Sequence, residues 1–247
     1  MDIATHLDIL RADGELLART AERVGLEAPV PSCPDWRIRD LLAHLGGVHR
    51  WAAFVVASGS PQRPNREETA TLFQAPGDDV LLDWYRGTHA DLLKTLTTVE
   101  PDAPGWTFFE APSALSFWAR RQAHETAVHR VDVELAAGVP STVPADFAAD
   151  GIDELLTGFL SRPRLDLVAD PPLSIAIDPD DDPAAWTMRI GTDGRRVEPG
   201  AATADLTVSG PAEALYLLVW NRADATGCRL DGDPEVLVRW RELAKVD

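Results

Sequence analysis

The chain has 247 residues, of which 45% are hydrophobic and 26% are charged. This length and apolar content allow one large or two modest globular domains, each with its own core. With 23 Lys and Arg residues against 40 Asp and Glu residues, the net charge is −17, which repels nucleic acid and anionic membrane surfaces, so we expect neither as a partner.

The start of the chain, Met1 to His6, has neither the basic region nor the apolar core of a signal peptide. No uninterrupted apolar run of about 18 residues follows, so we expect a cytoplasmic protein without a membrane span. The two cysteines, Cys33 and Cys228, lie far apart in sequence, which argues against a disulfide framework and against a CxxC motif. No sequence pattern indicates an oligomeric state.

Helical spacing of apolar residues predicts four long helices in the first part of the chain. The second follows a capping and proline signal at Ser32–Trp36, and the fourth ends before Gly138 and Pro140. Residues 59–77, rich in Pro, Gln, Asn and Thr, are predicted to form a loop with a short helical turn near residues 67–73. Four helices of these lengths favour a bundle. The first helix is predicted from Ile3 to about Val24, and the second follows Ser32–Trp36 and runs to about Ala57. The third is predicted from Asp78 to about Leu96 and the fourth from Ser113 to Ala137.

After Pro144 the pattern changes to short segments with period-2 alternation, separated by Pro, Asp and Gly clusters. We therefore predict an α+β, mainly α, protein: a helical bundle in residues 1–143 and a smaller α+β domain in residues 144–247. The second domain is predicted to contain helices near 146–160, 210–220 and 234–243 and strands near 173–177, 185–190, 206–208 and 228–230.

Three polar residues fall on helix faces that should be apolar. At about 100° per residue, His44 lies near the middle of an apolar stripe of the second helix. Glu125 and His129 are four residues apart in the fourth helix and share a face. A buried carboxylate or imidazole costs several kcal/mol unless it is paired or bound to a metal. If the two helices face each other, these residues offer one oxygen and two nitrogen ligands.

Three protein ligands and one open position are the arrangement of a catalytic zinc site. In the HExxH motif the two histidines are four residues apart, whereas His124 and His129 are five apart, so Glu125 is the better ligand candidate. Two histidines and one carboxylate also suit non-haem iron. The alternatives are a hydrogen-bonded core role for His44 and a salt bridge from Glu125 to Arg121.

Other residues near these stripes receive more ordinary interpretations. Asp132 is interpreted either as the acceptor for a ligating imidazole or as the partner of Arg121 or Arg130. Cys33 is expected to fill a small apolar space. Three tryptophans, Trp36, Trp51 and Trp118, are candidates for the wall of the metal pocket, and three histidines, His6, His49 and His89, are expected at the surface.

Four groups of segments carry a resemblance to a known family: Pro31–Trp36 leading to Asp40–Leu45, Arg121–Asp132, Val208–Glu213 continuing to Arg222, and Asp231–Pro234. Together they resemble the mycothiol-dependent maleylpyruvate isomerase family. The resemblance covers nearly the whole chain and implies an N-terminal DinB/YfiT-like four-helix metal-binding bundle followed by the family's C-terminal domain.

The resemblance implies that His44, Glu125 and His129 bind zinc, and that the open position binds the sulfur of mycothiol as a thiolate. In maleylpyruvate isomerisation this thiolate would add to a conjugated double bond, allow rotation and leave; in transferase relatives it would stay attached. Arg222 matches a family arginine that is implied to be catalytic, holding a substrate carboxylate. Family members often carry a second arginine next to it, whereas this chain has Ala223.

Together these features predict a zinc-dependent, mycothiol-using enzyme, an isomerase or thiol S-transferase that acts on a small electrophile. One alternative is a non-catalytic metal-binding sensor or partner-binding protein that has kept the bundle and its ligands. The other is a hydrolase in which zinc-bound water attacks the substrate.

Overall fold

A computed structural model describes residues 1–162, 165 and 167–244. It divides the chain into two compact units, residues 1–141 and 142–247. The α+β, mainly helical fold class is confirmed, with helices alone in the first unit and helices plus a sheet in the second. The predicted domain boundary between residues 143 and 144 stays a prediction. Among the described residues, no helix combines the length and hydropathy of a membrane span.

The first unit contains the four long helices that the sequence predicts. The side chain of Asp2 accepts a hydrogen bond from the backbone N–H of Thr5 and so caps the first helix, and Ser113 caps the last one in the same way. That last helix ends at Gly138, whose φ of 65° is a left-handed conformation that glycine adopts without strain. The helices are α1 (Ile3–Val24), α2 (Ile38–Ser58), the short α3 (Arg66–Thr69), α4 (Asp78–Thr98) and α5 (Ala114–Ala137).

The four long helices pack in the cyclic order α1, α5, α2, α4. Helix α1 lies against α5 and α4, and helix α2 lies against the same two neighbours. Apolar side chains from α1, α2 and α4 fill the centre, among them Leu17, Leu41, Leu45 and Tyr85. Helix α5 differs from the other long helices because arginine, aspartate and glutamate residues along it are buried. Since buried polar groups are costly without partners, α5 is where a functional site is most expected.

The described residues of the second unit form a five-stranded sheet, three helices and a π-helical segment. The strand order is β3-β2-β1-β4-β5, in which β1 and β4 are parallel and the other neighbours are antiparallel. The elements are α6 (Ala145–Asp153), the π-helix Glu154–Phe159, β1 (Leu173–Pro179), β2 (Trp186–Gly191), β3 (Gly194–Pro199), β4 (Leu206–Gly210), α7 (Ala212–Val219), β5 (Arg229–Gly232) and α8 (Glu235–Leu243).

Strand β3 is missing from the sequence prediction. It pairs with β2 at the edge of the sheet, with Val197 opposite Met188. Its sequence carries Arg195, Arg196 and Glu198 and shows no apolar alternation, as is common for edge strands protected by charge. Only its pairing with the more apolar β2 identifies it as a strand.

The expectation that His6, His49 and His89 lie at the surface is wrong. Their exposed fractions are 4%, 0% and 6%. The Nε2 atom of His49 lies 3.0 Å from the Thr126 hydroxyl, and that of His89 lies 2.9 Å from the carbonyl oxygen of Leu10. Each of these contacts supplies a partner for one ring nitrogen, and the sequence alone does not show them.

Two of these histidines should each contribute a loss of stability in mild acid. Burial lowers the pKa of both His49 and His89 below the usual value of 6.5, so below about pH 6.5 the unfolded chain binds more protons than the folded one. We expect the free energy of unfolding of the wild type, measured in urea relative to that of the His49→Gln variant, to decrease from about pH 7.5 to about pH 5.5. A difference between the two proteins that does not change with pH would contradict this assignment.

Candidate metal centre

The three residues singled out in the sequence come together where α2 faces α5. The Oε1 atom of Glu125 lies 3.4 Å from Nε2 of His44 and 3.5 Å from Nε2 of His129. All three donor atoms lie within 4.8 Å of one another. The geometry therefore brings one carboxylate oxygen and two imidazole nitrogens to a single point.

The spacing of these donors fits a tetrahedral metal ion. Zinc–nitrogen and zinc–oxygen bonds of about 2.0–2.1 Å at tetrahedral angles separate neighbouring ligand atoms by about 3.3–3.4 Å. The two distances from Glu125, 3.4 and 3.5 Å, are close to this value. The side chains of His44 and Glu125 are 36% and 21% exposed, so the group is open on one side. Three donors and an accessible fourth position are the arrangement of catalytic rather than closed structural zinc sites.

Asp132 orients one of the two imidazoles. Its Oδ2 lies 2.8 Å from Nδ1 of His129, and its Oδ1 accepts a 2.5 Å hydrogen bond from the Ser32 hydroxyl. When a metal is bound, a proton held on Nδ1 by Asp132 would leave the lone pair of Nε2 free to act as a ligand. In the metal-free protein, burial opposes protonation of His129, but hydrogen bonds to Asp132 and Glu125 outweigh it and raise the pKa of the ring to about 9, so both ring nitrogens carry a proton at neutral pH. The contact of Asp132 with the imidazole, one of its two interpretations from the sequence, is observed.

Arg121 holds the other oxygen of the central carboxylate. Its Nη2 donates a 2.9 Å hydrogen bond to Oε2 of Glu125, and its side chain is only 3% exposed. The salt bridge considered from the sequence is therefore present, yet it leaves Oε1 facing the two histidines. Burial alone would raise the pKa of Glu125, but hydrogen bonds from His129 and His44 and the charge of Arg121 lower it well below its usual value. The carboxylate is thus ionised and presents a single oxygen to the site.

Of the three tryptophans considered for the pocket wall, Trp36 lies against the donors. Its ring centroid is 4.9 Å from that of His44 and 6.1 Å from that of His129, with the second pair stacked. Trp51 and Trp118 instead pack on each other, 5.1 Å apart, in an aromatic cluster with Trp106. Trp36 precedes α2, and its ring restricts the access of water to one side of both imidazoles.

Sequence reasoning missed Ser32 as part of this arrangement. The residue reads as a capping signal before α2, and its contact with Asp132 joins residues 100 positions apart. No spacing rule connects a loop serine with a distant helix. Asp132 can be predicted from the sequence because it lies three residues after His129, on the same face of α5. Its hydrogen bond with Ser32 depends on the tertiary fold.

Replacing Asp132 with asparagine should weaken metal binding without removing a ligand. The amide can still face Nδ1 of His129 but no longer provides a charged acceptor, and loss of such outer contacts costs about 10–100-fold in metal affinity. We expect that loss in a competition titration with a chromophoric chelator. Ser32→Ala should have a smaller effect in the same direction. Unchanged affinity in Asp132→Asn would show that this aspartate does not support the site.

Comparison with known protein families agrees with this architecture. The family profile of the mycothiol maleylpyruvate isomerase N-terminal domain matches residues 7–134, and that of the MDMPI C-terminal domain matches residues 146–239. The chain belongs to the mycothiol maleylpyruvate isomerase family. The N-terminal family domain spans α1 to α5 and includes all three donor residues.

Solved structures show the same fold at low sequence identity. Two crystal structures of the mycothiol-dependent maleylpyruvate isomerase, one of them of a histidine-to-alanine mutant, align with a TM-score of 0.62 and 15% identity. Each alignment covers 94% of this chain and 93% of the other. No curated protein matches the sequence significantly. Because the identity is low, these structures show the fold of this chain and not its reaction.

Arg222, the residue implied to be catalytic, lies in the second unit just after α7. Its backbone N–H donates a 2.7 Å hydrogen bond to the carbonyl of Leu217, and its Nη1 lies 2.8 Å from the carbonyl of Trp220. The preceding residue, Asn221, has a φ of 60°, a left-handed conformation that asparagine adopts more readily than most residues. The end of α7 therefore fixes the backbone from which Arg222 extends.

Proposed function

We propose that this protein is a metal-dependent enzyme that uses mycothiol to isomerise, or to transfer a thiol onto, a small conjugated electrophile. The observation that carries the proposal is the group of His44, Glu125 and His129, with two nitrogens within 3.5 Å of one carboxylate oxygen and one side open. Membership of the mycothiol maleylpyruvate isomerase family supports the choice of thiol and reaction.

The proposed metal is zinc, held by His44, Glu125 and His129. With one anionic and two neutral ligands, zinc would keep a net positive charge and lower the pKa of a thiol that coordinates it, so that the thiolate forms near neutral pH.

The surrounding residues keep the donors ready for this task. Asp132 and Ser32 hold the tautomer of His129, and Arg121 restrains Glu125 so that one oxygen faces the site. Trp36 restricts water on one side of the two imidazoles. Preorganised donors of this kind need no rearrangement when the thiol arrives, which is a main source of catalytic power in enclosed sites.

The proposed isomerisation is a reversible conjugate addition. Bound mycothiol would supply a thiolate that adds to the cis double bond of the substrate, with the electron pair of that bond passing to the conjugated carbonyl. After rotation about the resulting single bond, return of the electron pair would expel the thiolate and leave the trans isomer. The thiol is regenerated, and atoms and charge balance without an external oxidant or reductant. In a transferase the same addition, or a displacement, ends with the thioether as product.

Turnover assays with and without thiol test this function. Zinc-loaded protein should convert maleylpyruvate to its trans isomer, or form a thioether with an alkylating electrophile, only when mycothiol is present. Zinc binding without any thiol affinity would instead indicate a sensor. Thiol-independent hydrolysis of ester or amide substrates would indicate a hydrolase. Either result would overturn the proposal.

Arg222 is proposed to bind a carboxylate of the substrate through its planar guanidinium. Replacement by lysine keeps the charge but loses the paired hydrogen bonds, which are worth about 1.5–3 kcal/mol when charged. We expect a decrease of about 10–100-fold in kcat/KM for a dicarboxylate substrate, with unchanged zinc content. Arg196→Lys, an exposed site in the same unit, serves as the control. An equal loss with an uncharged electrophile would argue against carboxylate binding.

A further inference from the structure

A groove between α1 and α4 lies away from the metal donors. Because the bundle order is α1, α5, α2, α4, this pair of helices is opposite the α2 and α5 pair that carries His44, Glu125 and His129. The groove has a volume of about 580 Å³. Its lining includes four cationic residues, Arg11, Arg19, Arg86 and Lys94, and one acidic residue, Glu15.

This excess of positive charge is opposite to the composition of the protein. In the whole chain, 40 acidic residues outnumber 23 basic ones. Like charges gathered around one concave surface raise the local potential and attract ions of opposite sign. The protein has many carboxylates that could neutralise such a groove, yet the lining has only one of them among the residues that the structure describes.

Among the described residues, three of these four cations have only a weak ion pair or none. Arg86 is paired with Glu22 at 2.8 Å and with Asp83 at 3.1 Å. The Arg19–Glu15 pair is long, at 3.7 Å, and both side chains are about 60% exposed, so it contributes little. Among the residues that the structure describes, no ion pair involves Arg11 or Lys94.

The floor of the groove is partly apolar. The ring of His89 lies directly over Gly14, where a β-carbon would stand 2.2 Å from Nε2, so only glycine allows this packing. The hydrogen bond from His89 to the Leu10 carbonyl keeps the ring there. The buried side chains of Ala18 and Leu93 extend the floor. A ligand in the groove would therefore meet cations at the rim and an apolar surface below.

We propose that this groove is a second binding site, for a small organic anion such as a phosphate monoester. The volume exceeds that of a bare phosphate ion and matches the lower part of the range for small-molecule pockets. The unpaired Arg11 and Lys94 would bind the anionic group, and the floor formed by His89, Ala18 and Leu93 would contact the organic part.

Calorimetric titration with phenyl phosphate tests the charge requirement. The double variant Arg11→Gln, Lys94→Gln should bind this probe at least about tenfold more weakly than the wild type, since hydrogen bonds to charged groups are worth about 1.5–3 kcal/mol each. The control is Arg66→Gln, Arg196→Gln, which removes two exposed cations outside the groove and changes the net charge equally. Equal losses in both double variants would show that only the overall field matters and would overturn the proposal.

A second variant tests the shape of the site with all charges kept. Ala90 lines the groove and is exposed, so Ala90→Phe should fill the groove and abolish binding of phenyl phosphate. Phenyl phosphate should also bind more tightly than inorganic phosphate. Unchanged binding in Ala90→Phe would place the anion elsewhere, including at the metal centre. Equal binding of the two probes would exclude a contribution from the apolar floor.

Discussion

The His44→Ala variant is expected to lose its zinc. His44 is the sole donor from α2, and without it only Glu125 and His129 remain, both on α5. Since loss of an outer hydrogen bond alone costs about 10–100-fold in metal affinity, loss of a direct ligand should cost more than about 100-fold. Elemental analysis of protein purified without chelator should find close to one zinc per wild-type chain and little in the variant.

A second histidine on the same helix provides the control. His49 is five residues after His44 and fully buried, but its Nε2 contacts Thr126 rather than the donors. His49→Gln should therefore keep its zinc, although it is less stable. If both variants keep zinc, the three residues form a hydrogen-bonded group without metal, and the proposed enzyme function fails. If both lose it, the metal depends on the packing of α2 rather than on His44.

The same variants separate the metal from the thiol. Mycothiol binding should follow zinc content, because the proposed thiol site is the open position of the metal. We expect affinity for the thiol in the wild type and in His49→Gln, but none in His44→Ala. Thiol binding that persists in metal-free His44→Ala would place the thiol on other residues of the chain.

The sequence predicts the donor group well because helical geometry is local. Angular spacing alone places His44 on the apolar stripe of α2 and puts Glu125 and His129 on one face of α5. The facing of the two helices needs only the general rules of bundle packing, and the structure brings these residues together as expected. Their role as metal ligands stays a prediction.

The parts that the sequence could not predict depend on tertiary contacts. His49 and His89 look like surface residues because they interrupt no obvious stripe, yet they are buried with partners on other helices. Ser32 reaches Asp132 across 100 residues. Strand β3 is recognisable only by its pairing with β2. In each case, a partner distant in sequence decides the outcome.

The Arg130→Met variant should be strongly destabilised. Arg130 is 3% exposed and joins α1 to α5, with its Nε 3.1 Å from Asp13 and its Nη1 2.6 Å from Glu134. Its removal leaves two largely buried carboxylates without this cation, and breaking a buried pair in this way typically costs about 3–5 kcal/mol. Urea unfolding followed by far-ultraviolet circular dichroism, which reports mainly on the helices, should show this loss.

Neutralising the remaining carboxylates should restore much of the stability. Asp13→Asn and Glu134→Gln, added to Arg130→Met, remove the buried charges while keeping side chains of similar volume. We expect this triple variant to recover more than half of the loss. If it is as unstable as Arg130→Met, the contribution of Arg130 lies in the packing of its alkyl chain rather than in its charge.

The pH dependence of the Arg130→Met defect identifies its electrostatic origin. Burial already raises the pKa of Asp13 in the wild type, against the opposing charge of Arg130. Without Arg130 this pKa should rise further, so that the folded variant binds more protons than the unfolded chain in mild acid. Stability of the variant relative to the wild type should then increase as pH falls from about 7.5 to about 5.5. Because both proteins keep His49 and His89, the acid effect of those histidines cancels in this difference. A deficit independent of pH would show that lost packing, and not buried charge, destabilises the variant.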